Sequence, residues 1–195
     1  MLDSFYLKNF FCPQVREIYD LKSITENNNW HNTSVFDHTV EVLEKVEELI
    51  PHHKSLDQKI NDRTRAQLLI LATILHDLGK KETLRINEEN KTNCPDHEEI
   101  SAAMSGRILD RFNLSKQEKE STLDMIRNHG IIHDIIKSDD FRNIRIDPFG
   151  PPLELLLLGL ADTQASILSK TKPENYQMRT QRYEILLKDY GEYKI

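Results

Sequence analysis

Apolar residues recur every three or four positions along most of this chain, and strict alternation is nearly absent. That periodicity predicts helices rather than strands. The first strong helix spans 34–50. Ser34 supplies a capping hydroxyl, Asp37 a carboxylate three residues on, in a variant of the capping box, and Pro51 stops the run. A second helix covers about 63–78 and ends at Gly79. Its stretch from Leu68 to Leu75 is apolar nearly all round, which places it at the centre. A third starts at Asp96, with Glu98 and Glu99 favouring its positive end, and runs to Phe112. Ser115 and Glu118 form a capping box for a fourth, expected to end near His129 and Gly130. Pro151 and Pro152 open a fifth, to about Leu168, and a sixth spans 176–189. The residues before Trp30 predict a short helix packed on the body, and 30–33 a piece of cleft wall. The stretches 80–95 and 138–150 read as irregular. The fold class expected is all-α, a compact helical bundle. It reads as one domain over 1–195: a helical extension at 1–33, a core at 34–168 and a C-terminal helix within 169–195.

Composition narrows the partners. Among 195 residues, 26 are Lys or Arg and 32 are Asp or Glu, a net charge of −6. A surface built for a nucleic-acid duplex or an anionic membrane carries the opposite sign. A small anionic substrate still fits, because a bound metal or one lysine reverses the sign locally. Two cysteines, Cys12 and Cys94, make no disulfide framework and read as reduced, cytoplasmic thiols. The longest apolar run is far short of the roughly 20 residues that span a bilayer, and the first residues lack a signal-peptide pattern.

Two positions break the apolar faces. Counting by turns from His38 gives Val42, Val46 and Leu49, so His38 lies on a buried stripe. Leu155 and Leu158 precede Asp162 on its face and Ala165 follows. The central helix ends in His76 and Asp77. A buried carboxylate is costly unless a proton, a cation or several donors neutralise it. Singly, a histidine on an apolar stripe is more often a hydrogen-bonded core residue than a ligand, and a buried aspartate more often an acceptor between helices. Together, two imidazoles and two carboxylates from three helices suit one divalent metal.

The ordered set resembles the HD superfamily of metal-dependent phosphohydrolases. Ser34-Val35-Phe36-Asp37-His38-Thr39 is similar to its first motif, and His76-Asp77-Leu78-Gly79-Lys80 to its second. Asp96-His97-Glu98 is similar to the Gly-His-Glu string of many members, with Asp96 where glycine is usual. Arg127-Asn128-His129 resembles the next motif, which often reads His-His, and Leu160-Ala161-Asp162 matches the last. The likeness runs over 34–165. Locally it is strongest to the HD region of bacterial tRNA nucleotidyltransferases (CCA-adding enzymes). Their polymerase head has no counterpart here, so nucleotide addition is not expected.

The resemblance implies a metal held by His38, His76, Asp77 and Asp162. In two-metal members, positions matching His97 and His129 complete a second site with Asp77 bridging; with one metal they would contact substrate phosphate or move protons. Mixed nitrogen and oxygen ligands suit Mn²⁺, Fe²⁺, Co²⁺, Ni²⁺ or Zn²⁺ better than Mg²⁺. The implied chemistry is attack on phosphorus by metal-bound hydroxide, available because the metal lowers the pKa of water from about 16 to near 7. Lys80 is placed to reach the phosphate as a point charge; the plainer reading is an exposed lysine at a helix C-terminus. The leaving alkoxide would take its proton from His129 or His133, one turn apart only if the helix continues through Gly130. The implied substrate is a small phosphorylated one: a nucleotide, a 2′,3′-cyclic nucleotide or a related phosphoester. Two alternatives stand beside it: a di-iron oxygenase of a small polyol or phosphonate, and a non-catalytic metal-stabilised module that binds a nucleotide or a protein.

Weaker candidates complete the reading. Cys94 and His97 form a Cys-x-x-His without a second pair, which argues against zinc. His52 and His53 read as solvated. Arg142 and Arg145 fall in a loop, as candidate phosphate contacts or ordinary surface. Trp30 and His31 are placed to stack on a base, although a tryptophan is more often core.

Overall fold

Ser34 starts the core where the pattern puts it: its Oγ accepts the Asp37 backbone N–H at 3.0 Å and opens α2 (Val35–Leu49). The computed structural model describes residues 2–139, 141 and 153–189. Ahead of α2 lie α1 (Ser4–Asn9) and a 3-10 segment, Pro13–Ser23. After it come α3 (Arg65–Leu75), α4 (Lys80–Thr83), α5 (His97–Leu109), α6 (Lys116–Lys137), α7 (Leu153–Ala165), α8 (Leu168–Thr171) and α9 (Pro173–Asp189). Among the described residues, strand is confined to two short antiparallel pairs: β1 (Lys59–Ile60) with β2 (Arg63–Thr64), and β3 (Arg85–Ile86) with β4 (Thr92–Asn93). The fold is all-α.

α3 is the axis. Every residue from Leu68 to Leu75 is buried, as its uniform apolarity requires. It packs against α2, α6 and α7. α2 turns His38, Val42, Val46 and Leu49 inward, all buried. α5 lies along α6, and α9 covers α7 and part of α6. A hairpin-like loop over residues 25–34 crosses one end of the bundle. The Thr25–Ser34 bridge and the Glu26 N–H to Thr33 carbonyl bond (3.1 Å) close it. The turn after α7 pins its tip, with the Ile167 N–H donating to the Trp30 carbonyl at 2.8 Å.

Several expectations change. α6 does not stop near Gly130 but runs to Lys137, with Ile132, Ile135 and Ile136 continuing its buried stripe. One helical glycine costs only about 1 kcal/mol, which this burial outweighs. At Gly130 a Cβ would lie 2.1 Å from Glu98 Oε1, so a larger residue there would push that side chain aside. The helix at 96–112 is α5 plus a 3-10 turn that ends at Asn113, in left-handed geometry. The stretch 80–95 holds α4 and the β3–β4 pair. His53 is 1% exposed rather than solvated, because the chain folds back after Pro51 and buries Leu56 beside it; His52 is exposed. α9 starts at Pro173, which suits the first turn of a helix because no N–H partner is needed there. Arg142, Arg145 and the Pro151-Pro152 opening lie outside the described residues. Among the described residues no helix is long and apolar enough to cross a membrane.

Candidate metal centre

The end of α3 delivers His76 and Asp77 to a point that α2, α5, α6 and α7 also reach. His38 comes from α2, His97 from the first turn of α5, His129 from α6 and Asp162 from α7. His38, His76, Asp77 and His129 are buried, and Asp162 is nearly so. His38 Nε2 lies 2.9 Å from Asp162 Oδ1 and 3.8 Å from Asp77 Oδ2. His76 Nε2 lies 3.3 Å from Asp77 Oδ2. These four buried atoms make no aligned hydrogen bond, and His38 links them: it groups with His76 and Asp77 on one side and with His31 and Asp162 on the other. Buried polar atoms are normally satisfied, and of these four only Asp77 Oδ2 has an ammonium beside it, Lys80 Nζ at 2.9 Å. Imidazole nitrogens and carboxylate oxygens aimed at one another are what a divalent cation would satisfy. The residues therefore fit the metal that the motif set implies.

A second group adjoins the first. Asp77 Oδ1 is 3.3 Å from His97 Nε2 and 3.8 Å from His129 Nε2, and the two imidazole nitrogens are 3.2 Å apart. Asp77 thus gives one oxygen to each group. Three of the histidines are held alike. The Nδ1–H of His76, His97 and His129 each donates to the carbonyl three residues earlier, Thr73, Cys94 and Ile126, at 2.7, 2.9 and 2.6 Å. The other nitrogen, Nε2, is left as a lone pair facing the centre, the arrangement that prepares a histidine to bind metal. Asp96, just before His97, sits in left-handed backbone geometry with φ 54°. That is a backbone region which glycine adopts most readily.

Burial and neighbouring charge compete at each group. Burial alone would raise the Asp77 carboxyl, but His76, Lys80 and His97 outweigh it and hold it well below the usual carboxylate range. Burial likewise opposes ionisation of Asp162, and His133 and His38 prevail in keeping it low. Burial pulls His76 and His97 down, yet Asp77 raises both. His129 is lowered to about 3 by burial and by His76, so its Nε2 stays unprotonated at neutral pH.

His38, His76, Asp77, His97, His129 and Asp162 converge. Lys80 is no exposed terminal lysine: it is buried, with Nζ 2.9 Å from Asp77 Oδ2 and 2.8 Å from Glu26 Oε2. His133 reaches the site because α6 continues, but both its ring nitrogens are engaged, Nε2 with Asp162 at 2.7 Å and Nδ1 with the Tyr183 hydroxyl at 3.1 Å. It has no free proton donor aimed at a leaving group. Cys94 contributes its carbonyl to His97, burial raises its thiol to about 11, and its sulfur joins none of the ligand groups among the described residues. Trp30 and His31 sit on the crossing loop and line a cavity of about 270 Å³ with Asp77, Lys80, His97 and Asp162. Trp30 is half-buried under the Arg179 guanidinium, 4.7 Å from its ring centroid.

Sequence reasoning missed Glu26 and Tyr183, and it placed His31 as a base-stacking residue rather than among the ligands. Glu26 is a lone acid in a polar stretch and its pairing with Lys80 spans 54 residues, so no spacing announces it. His31 offers a ligand atom within 4.8 Å of those of His38 and Asp162, and burial together with His38 holds its pKa well below the ordinary value. Tyr183 reaches the site from α9.

Residues 35–163 match the HD domain family. A bifunctional uridylyltransferase/uridylyl-removing enzyme of Cereibacter sphaeroides is 22% identical over 142 residues, 69% of this chain. The matched part is 14% of that protein's length.

Proposed function

Because the chain belongs to the HD domain family, whose members are mostly metal-dependent phosphohydrolases, we propose that it hydrolyses a small phosphoester, a nucleotide or cyclic nucleotide foremost, at the centre beside Asp77. The observation that carries this reading is the set of four buried atoms on His38, His76, Asp77 and Asp162 that meet without an aligned hydrogen bond. These residues would hold the first ion, and His97 and His129 a second with Asp77 shared. Bound there, a divalent metal would lower the pKa of water to near 7 and offset charge on phosphoryl oxygens.

The protein's own groups set the rest. Asp77, Glu98, Asp134 and Asp162 face the cavity against the single amine of Lys80. Without added positive charge that wall repels phosphate; with it, Lys80 becomes the adjacent cation that an anionic substrate meets. Lys80 is held in place by Glu26 rather than free to swing, so its charge is fixed where the phosphate enters. His97 stands at the opening, its pKa pulled down by burial and raised by Asp77. Trp30 and His31 supply the flat wall on which a base could rest. The name of the Cereibacter sphaeroides relative includes removal of a uridylyl group, itself a nucleotidyl group, and this favours nucleotide phosphoesters.

A panel of 2′,3′-cyclic nucleotides, nucleoside monophosphates and simple aryl phosphates, assayed with Mn²⁺, Co²⁺ or Ni²⁺, tests this. Turnover should be chelator-sensitive and fall to background in Asp77→Ala, with helix content unchanged. Retained turnover in that variant contradicts the mechanism. The second group, sharing Asp77 with the first, also suits a pair of irons and oxygen chemistry on a small polyol or phosphonate. Anaerobic purification with iron analysis discriminates: two irons and oxygen-dependent product favour that reading.

A further inference from the structure

The two oxygens of Asp162 face different ways. Oδ1 lies 2.9 Å from His38 Nε2, on the side of the candidate metal centre, without an aligned hydrogen bond. Oδ2 points away from it and meets His133 Nε2 at 2.7 Å. Behind His133, its Nδ1 is 3.1 Å from the hydroxyl of Tyr183, a residue of α9 beyond the 35–163 segment. Tyr183 is fully buried. α7 leaves room for its oxygen at Gly159, where a Cβ would lie 2.4 Å from the hydroxyl. Arg179, one turn earlier on α9, donates to the His133 carbonyl at 3.2 Å and fixes the two helices against each other.

The proton positions follow from the chemistry of the groups. A carboxylate only accepts, so the His133 nitrogen facing Asp162 carries the hydrogen. In the neutral imidazole Nδ1 is then the acceptor and the phenol the donor. Burial raises the phenol's pKa, so it keeps its proton.

We propose that Tyr183 is a positioning residue: through His133 it locks Asp162 so that Oδ1 is presented to the metal. This rests on the metal-centre reading above. It also gives His133 a role other than proton donor to a leaving group. Partners behind metal-ligating residues typically contribute 10- to 100-fold in metal affinity.

The test is a Co²⁺ titration of the full-length protein followed by visible absorption, which reads both affinity and ligand geometry. Tyr183→Phe keeps the buried ring and removes only the donor. It should weaken Co²⁺ binding by about 10-fold and shift the visible band, with far-UV circular dichroism unchanged. His133→Ala should weaken binding at least as much. Leu186→Ala, a cavity on the same helix, should lower the melting temperature but keep Co²⁺ affinity within about twofold. Wild-type affinity and band in Tyr183→Phe overturn the proposal while leaving the metal centre standing. So does a loss in Leu186→Ala equal to that in Tyr183→Phe, which would assign the effect to helix packing. A wild-type protein that binds no Co²⁺ overturns the centre and the proposal together.

Discussion

Gly79 lies where the first turn of α5 presses closest on the end of α3. A Cβ there would be 2.5 Å from the His97 carbonyl oxygen and 2.7 Å from the Ser101 nitrogen. Both are backbone atoms and cannot swing aside. Gly79→Ala should therefore destabilise by about 2 kcal/mol, lowering the melting temperature by roughly 4–8 °C. Gly106, inside α5, has nothing within 4 Å of a built Cβ. Gly106→Ala should stabilise by about 0.5–1 kcal/mol, because alanine loses less backbone entropy in a helix. Thermal unfolding of the two variants should give opposite signs. Much of the centre was legible at this scale, because a histidine or aspartate at a core position of an apolar helix face demands an explanation. His38 and Asp162 stood out in that way. Glu26 and Tyr183 did not. Glu26 lies in a polar loop, and a buried tyrosine on an amphipathic helix reads as packing.

At the scale of elements, α6 shows what capping does. Glu118 closes the box with Ser115, accepting its N–H at 2.7 Å, and the same carboxylate accepts the N–H groups of Asp62 and Arg63 at 2.9 and 2.7 Å. It thus ties the β1–β2 turn to the start of α6. Burial alone would raise its pKa, but these backbone donors prevail and lower it. A folded pKa below the unfolded value of about 4.3 gives stability that is present above that pH and lost as acid protonates the folded carboxylate. Glu118→Gln should cost about 2 kcal/mol at pH 7, since an amide cannot accept three N–H groups as a carboxylate does. Its stability should also fall less steeply below pH 5, as urea denaturation at pH 7 and at pH 4 would show. The Ser115 capping box was readable because its spacing is local. The capping box that Thr64 and Gln67 form at the start of α3 was passed over for Arg63, one residue earlier. The far end of α6 was misplaced, because Gly130 ends a helix by propensity and continues one when its missing side chain makes room for Glu98. That room exists only once α5 is packed in place.

For the whole molecule, α2, α3, α5, α6 and α7 each bring a candidate ligand to one point, and the crossing loop closes one side of it. The order of motifs revealed the family, because those residue types must recur at core positions to meet. It did not reveal the substrate, which depends on how the 25–34 loop and the β3–β4 hairpin line the cavity. A metal whose ligands come from several helices should bind the folded state and not the unfolded chain, so saturating Mn²⁺ or Co²⁺ should raise the melting temperature. At 100 times its dissociation constant the ion would add about 2.7 kcal/mol, roughly 5–10 °C in a chain of this size. The most direct test is the metal content of protein purified without added metal or chelator, with His76→Ala alongside. One or two equivalents of a divalent transition metal in the wild type, lost in the variant, is the predicted result. No metal in either, and a melting temperature unmoved by Mn²⁺, Ni²⁺ or Fe²⁺, would contradict it.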